Sequence, residues 1–124
     1  MGGVYSTTTA LTLSLGVYWG TSAAKGSDTL IGVASPNFTT PATSTNLPWS
    51  LNYQINCETA TTAIGSGIAN FGGTTSTITP EWMNTSTSTT ITTTSAENIY
   101  VFPAIGTSLA GDTMTANTIS ITGN

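Results

Sequence analysis

Between Leu11 and Trp19 every second residue is large and apolar. Leu11, Leu13, Leu15, Val17 and Trp19 fall on one side of an extended chain, with Thr12, Ser14, Gly16 and Tyr18 on the other. A period of two is the repeat of a strand with one buried face, and a helix would scatter these residues around its circumference. A second row, Trp49, Leu51, Tyr53, Ile55 and Cys57, repeats the pattern. Shorter β-rich runs cover 30–34, 75–79, 87–94 and 98–102, and a last row at 117–122 places Asn117, Ile119 and Ile121 together.

Turn chemistry separates these runs: Lys25-Gly26-Ser27-Asp28, Ser35-Pro36-Asn37, Gly65-Ser66-Gly67, Gly72-Gly73 and Ala110-Gly111-Asp112. Threonine, branched at Cβ, suits a pleated surface and disfavours helix, and the chain holds 29 Thr and 14 Ser. The expectation is an all-β fold, a single β-sandwich or jelly roll of six to eight short antiparallel strands spanning 1–124. Residues 39–46 read as a long polar loop between sheets. Residues 84–95, almost entirely Ser and Thr around Ile91, read as an edge where another chain can add a strand.

Charge removes most chemistries. Six residues are ionisable at neutral pH (Lys25, Asp28, Glu58, Glu81, Glu97 and Asp112), with no Arg and no His. Charged residues make up 5% of the chain, against about 25% in an ordinary soluble domain. One lysine and a net charge of −4 cannot neutralise a phosphate backbone, so no nucleic-acid partner is expected. Without His there is no Ser-His-Asp or Cys-His arrangement. A carboxylate pair for glycoside hydrolysis would have to come from Glu58, Glu81 or Glu97, which read as solvated turn or strand-end residues. No clustered ligands suggest a metal, Gly65-Ser66-Gly67 lacks the Lys and helix of a phosphate cradle, and no cofactor is expected. Lys25, in a turn, is not placed for a covalent link to an asparagine. Cys57 continues an apolar row and is expected to be a buried strand residue, with no partner for an internal disulfide.

Trp19 and Trp49 belong to the alternating rows and are expected in the core. Trp82, in Pro80-Glu81-Trp82-Met83, lies outside any clear row and is the candidate exposed aromatic contact. Two glycosylation sequons, Asn37-Phe38-Thr39 and Asn84-Thr85-Ser86, fall in expected loops. No apolar run reaches the ~20 residues of a membrane span, and residues 1–19 lack the basic and continuous apolar regions of a secretory signal.

Glu81-Trp82-Met83-Asn84, Ile99-Tyr100-Val101-Phe102-Pro103-Ala104 and Asn117-Thr118-Ile119-Ser120-Ile121-Thr122 together resemble the C-terminal half of spore-coat-U-type pilins, small sandwiches of the chaperone–usher group. The resemblance covers roughly 45 residues; the paired cysteines of that family are missing, and Val101 stands where the family has glycine after its Tyr. It implies that an extended N-terminal segment completes the sheet of the next subunit. Residues 1–19 would be that strand, with Leu11, Leu13, Leu15 and Val17 as the donor side chains; the alternative is an ordinary core strand of its own subunit.

The reading is therefore a non-enzymatic structural subunit that assembles with copies of itself into an extracellular, pilus-like and adhesive filament at the cell surface, with surface glycans or a host cell as further partners. A virus capsid, decoration or fibre subunit in a virion is the second reading, favoured if Met1 is a native start without a signal. A carbohydrate-binding module using Trp82 is the third.

Overall fold

The computed structural model describes residues 1–22, 26–34, 37–85, 87–92, 97–106 and 110–118. Among them are ten strands and no helix: β1 (Gly2–Thr7), β2 (Thr12–Gly20), β3 (Thr29–Val33), β4 (Phe38–Thr39), β5 (Ser44–Cys57), β6 (Thr62–Gly72), β7 (Ile78–Asn84), β8 (Thr89–Thr90), β9 (Asn98–Ile105) and β10 (Thr113–Thr118). Eight of these have five residues or more, and β4 and β8 are two-residue pieces. A large sheet runs in the order β10-β1-β5-β6-β7, with β8 continuing the β7 side of β6. In the small sheet β2 is central, paired with β9 along one side and with β3 and β4 along the other. Every pairing is antiparallel.

The sheets face each other across one core. β2 contributes Leu13, Leu15 and Val17, β5 Trp49 and Leu51, β6 Ala63, Ala69 and Phe71, and β7 Met83. Each large aliphatic side chain removed from water contributes ~1.5–3 kcal/mol, and the inward rows are what the alternation in sequence encodes. Three rings join the layers. Phe38 from the small sheet stacks on Phe71 from the large one at 4.9 Å between centroids, and Tyr5 stands edge-on to both. The Tyr5 hydroxyl donates to the Gly72 carbonyl at 2.5 Å.

A second link between sheets is made by Tyr53, whose hydroxyl donates to the Ile31 carbonyl at 2.5 Å. Pairing of β2 with β3 shifts register between Val17 and Tyr18, and Ile31 has no partner across the ladder. Such a bulge leaves a residue's backbone unpaired, and the Tyr53 phenol supplies the missing bond. The ring is admitted by two glycines: a Cβ on Gly32 or Gly65 would lie 2.1 or 2.0 Å from the Tyr53 hydroxyl.

Several expectations are corrected here. Gly65-Ser66-Gly67 is not a turn but the middle of β6, because the Tyr53 ring occupies the inward space that side chains at 65 and 67 would fill. The segment from Val4 to Trp19 is not one long strand. β1 lies in the large sheet and β2 in the small one, with residues 8–11 between them. Cys57 is exposed rather than buried, at the last position of the fourteen-residue β5. Ser44–Asn46, expected in a loop, opens β5, with Asn46 at a φ of 51°. Lys25, Ser35-Pro36, residues 93–95, Ile119 and Ile121 lie outside the described residues.

Candidate interaction surfaces

The proposed donor side chains Leu11, Leu13, Leu15 and Val17 are all buried in the core of their own chain. β2, which carries the last three, is the central strand of its sheet, bonded on both sides. Moving it to a neighbour would open two ladders and the core together.

The outer surface of the small sheet is unexpectedly apolar. Tyr18 on β2 stacks on its cross-strand partner Tyr100 on β9, with 5.4 Å between ring centroids and 14° between planes. Phe102 sits opposite Gly16, Leu30 opposite Tyr18 and Val33 opposite Gly16. Leu30, Val33 and Phe102 are 41, 40 and 40% exposed. At Gly16 a Cβ would strike the Tyr18 ring at 2.7 Å, so that glycine lets the ring lie flat along the sheet. At the border the Tyr100 hydroxyl donates to Asp28 at 3.0 Å. Burial, that bond and the Asp28 charge together push the Tyr100 phenol up to about 12. A signal for this face exists in the sequence: Ile99-Tyr100-Val101-Phe102 is apolar at both parities, the mark of a strand with two covered faces.

The outer surface of the large sheet is different. It presents Ser50, Asn52, Gln54 and Asn56 from β5, Ile64, Ser66, Ile68 and Asn70 from β6, and Ile78, Pro80, Trp82 and Asn84 from β7. None is ionisable. Asn70 donates its amide to the Ser50 hydroxyl at 3.4 Å, and Gln54 donates to Asn56 at 3.1 Å. Trp82 is 64% exposed, at the margin of this face.

The acids lie in different places, and of them Asp28 and Glu97 share one crevice. Glu81, expected at a solvated strand end, points into the sandwich and is 5% exposed. Its Oε2 lacks a hydrogen-bond partner among the described residues, and burial raises its pKa. Glu58 accepts from Ser88 on the surface. Glu97 and Asp28 line one crevice of about 270 Å³ with Trp19 and Thr92. Asp28 is already engaged there: its carboxylate accepts from the Ser22 hydroxyl at 2.8 Å as well as from Tyr100. Trp19 is partly buried against the core, its indole donating to the Thr92 carbonyl at 2.9 Å. Asn37 and Asn84 are both exposed; Asn84 ends β7 rather than sitting in a loop, and Ser86 of its sequon is outside the described residues. No group of three or more His, Cys, Asp or Glu that could hold a metal occurs among the described residues, and no helix there is long and apolar enough to cross a membrane.

The sheet edges carry their own information. The Thr85 N–H bonds the Gly65 carbonyl, which fixes the alternation of the β6–β7 ladder. Ala69–Glu81 and Phe71–Thr79 are then the hydrogen-bonded pairs, and Pro80 turns its nitrogen to the free edge. By the same reasoning the bond from Gly106 N–H to the Thr12 carbonyl turns the Pro103 nitrogen to the open edge of β9, while its ring stays on the inward row opposite Leu15. Both edges therefore lack a donor at mid-strand, and β3 carries the bulge at Ile31. β10, the remaining end of the large sheet, has no proline but is bulged near its end, where the pairing with β1 slips between Gly2 and Gly3 and passes over Asn117; its regular stretch is Thr113–Ala116.

No protein family, no curated protein and no solved structure matches the chain.

Proposed function

We propose that the chain is a non-enzymatic structural subunit that assembles with copies of itself into an extracellular filament, with the outer face of the small sheet as its principal contact. The observation that carries this reading is the exposed set Leu30, Val33 and Phe102 around the Tyr18–Tyr100 stack. Contiguous apolar surface of this kind marks an interaction site. A second copy is the partner that fits: the residues of this face are uncharged, with Asp28 at its border held by Tyr100, so two like faces stack with little local charge repulsion, as sheets do within a sandwich.

The face is limited in size. Nine residues of β2 at ~3.4 Å each, by three strands ~4.8 Å apart, give roughly 400 Å² in projection. A standard interface uses about 800 Å² per partner. The face therefore makes a pair, and growth needs a second contact, for which the regular Thr113–Ala116 stretch of the β10 edge is the candidate. Two different two-fold contacts on one subunit generate an open chain of subunits.

Sedimentation velocity and negative-stain imaging of the wild type and of the Leu30→Lys/Phe102→Lys variant test the reading. Concentration-dependent assembly in the wild type and monomers in the variant are expected. A wild type that stays monomeric at high micromolar concentration, or a folded variant that assembles equally well, overturns it.

A further inference from the structure

β7 is oriented against the ordinary preference of a folding strand. Its inward row holds Thr79, Glu81 and Met83, and its outward row holds Ile78, Pro80, Trp82 and Asn84. A one-residue shift of register would exchange the two rows. The strand instead buries a carboxylate with one oxygen that has no hydrogen-bond partner among the described residues, and leaves Trp82 and Ile78 64 and 68% exposed. Burying a tryptophan and releasing an acid both favour folding. Positions where a chain breaks such rules are those where function is found.

What surrounds Trp82 defines the chemistry. Directly across the ladder lie Ile68 and then Asn52, in one straight row over three strands. The neighbouring row is Pro80, Asn70 and Ser50. Strands are ~4.8 Å apart, close to the length of one sugar ring. The amides of Asn52 and Asn70 each offer both a donor and an acceptor, which is what a hydroxyl-covered ligand requires. None of the side chains in these two rows is ionisable, and the nearest acid, Glu58 beyond the end of β5, is engaged by Ser88. A charged polymer therefore finds no counter-charge along them, whereas an uncharged one loses no hydration of charge.

We propose that the outer face of the large sheet binds a neutral, β-linked polysaccharide laid across the strands as a flat ribbon. The Trp82 indole stacks on the C–H face of one sugar ring, and Asn52 and Asn70 hydrogen-bond the hydroxyls of the rings that follow. The row Trp82, Ile68 and Asn52 runs directly across three paired strands and suits an extended ribbon, and a coiled glycan would touch it at one turn only. The site is on the face opposite to the proposed subunit contact, so a filament built through the small sheet displays it outward along its length. The inference does not depend on that assembly.

The test uses the full chain with β-1,4-linked hexasaccharides of glucose and of N-acetylglucosamine, and heparin as a charged control. Binding is followed by tryptophan fluorescence and calorimetry. At least one neutral hexasaccharide is expected to bind and heparin is not. Trp82→Ala should weaken binding at least tenfold and Asn52→Ala or Asn70→Ala several-fold, with unchanged thermal unfolding. Leu30→Lys/Phe102→Lys should bind as the wild type does even where it no longer assembles. Absence of binding to both neutral probes, or equal binding by Trp82→Ala, overturns the proposal. So does loss of self-association in Trp82→Ala without any glycan binding, which would make this face a subunit contact instead.

Discussion

Substitution at Tyr53 and Gly65 offers a direct test of how the two sheets are held together. Tyr53→Phe deletes only the hydroxyl that donates to the Ile31 carbonyl at 2.5 Å. That carbonyl belongs to a bulged residue which is fully buried, so it is left without its bond. An unsatisfied buried acceptor costs about 1–3 kcal/mol. Gly65→Ala attacks the same contact from the other side, because its Cβ would fall 2.0 Å from the hydroxyl and 2.6 Å from Cζ. The ring must move, which forfeits the bond and adds an overpacking cost of about 1–3 kcal/mol. In the double variant the hydroxyl that the new methyl group meets is gone and the bond is lost once, not twice. Its destabilisation should therefore fall short of the sum of the singles by about 1 kcal/mol, within the range of coupled neighbours. Urea unfolding followed by tryptophan fluorescence measures all four corners of the cycle. Additivity within about 0.3–0.5 kcal/mol, or a neutral Tyr53→Phe, would refute the argument that this phenol ties the bulge to the opposite sheet.

Three further outcomes are expected. Burial raises the Glu81 pKa, so the folded state binds a proton more readily than the unfolded chain. Stability should rise as pH falls through that raised value, and Glu81→Gln should flatten the dependence and raise the melting temperature at neutral pH. The Tyr5 and Tyr53 phenols are pushed up to about 12 by burial from an ordinary 10. The stability they contribute is complete below pH 10 and is lost between 10 and about 12, so spectrophotometric titration should show their ionisation delayed until unfolding. Cys57 is exposed, so one thiol per chain should react with a disulfide reagent without denaturant, and Cys57→Ser should change stability by less than about 0.5 kcal/mol.

The all-β fold was legible because its strongest signal is local. The row Leu13, Leu15, Val17 and the row Trp49, Leu51 could lie on one side of the chain only as strands, and they form the inner faces of opposite sheets. What stayed hidden depends on partners distant in sequence. Gly65-Ser66-Gly67 has turn composition, and only the arrival of Tyr53 from β5 explains why glycines sit inside a strand. Glu81 looked solvated because acids usually are, but the ladder with β6 sets its parity, and parity sends it inward. The exposure of Trp82 was readable from its place outside any apolar row. The amides beside it were not, since Asn52, Asn70 and Trp82 meet only once β5, β6 and β7 are aligned. The apolar outer face of the small sheet was missed for a related reason: Tyr18 and Gly16 occupy the polar side of the alternation, and their apolar company comes from β3 and β9.

The edges decide which kind of assembly such a subunit can enter. A chain this poor in charge cannot protect open strands with lysine, the usual device. It uses geometry instead. Pro80 and Pro103 each remove an outward donor from the middle of an edge strand, and the bulge at Ile31 distorts a third edge. Indiscriminate strand addition is thereby opposed on three sides while one face of the sandwich is left apolar. Among the described residues of the Thr-rich segment after β7, Thr89–Thr90 pair with β6, and the Thr85 and Ile91 N–H groups already bond the Gly65 and Thr61 carbonyls, so the segment is a weaker template than its composition suggests. The proposed filament, growing through one stacked face and the short regular stretch Thr113–Ala116 of β10, would have a defined direction, whereas four open edges would give aggregates of no fixed shape. In the proposed filament β2 stays the central strand of its own subunit, and the polymer would come apart without unfolding it.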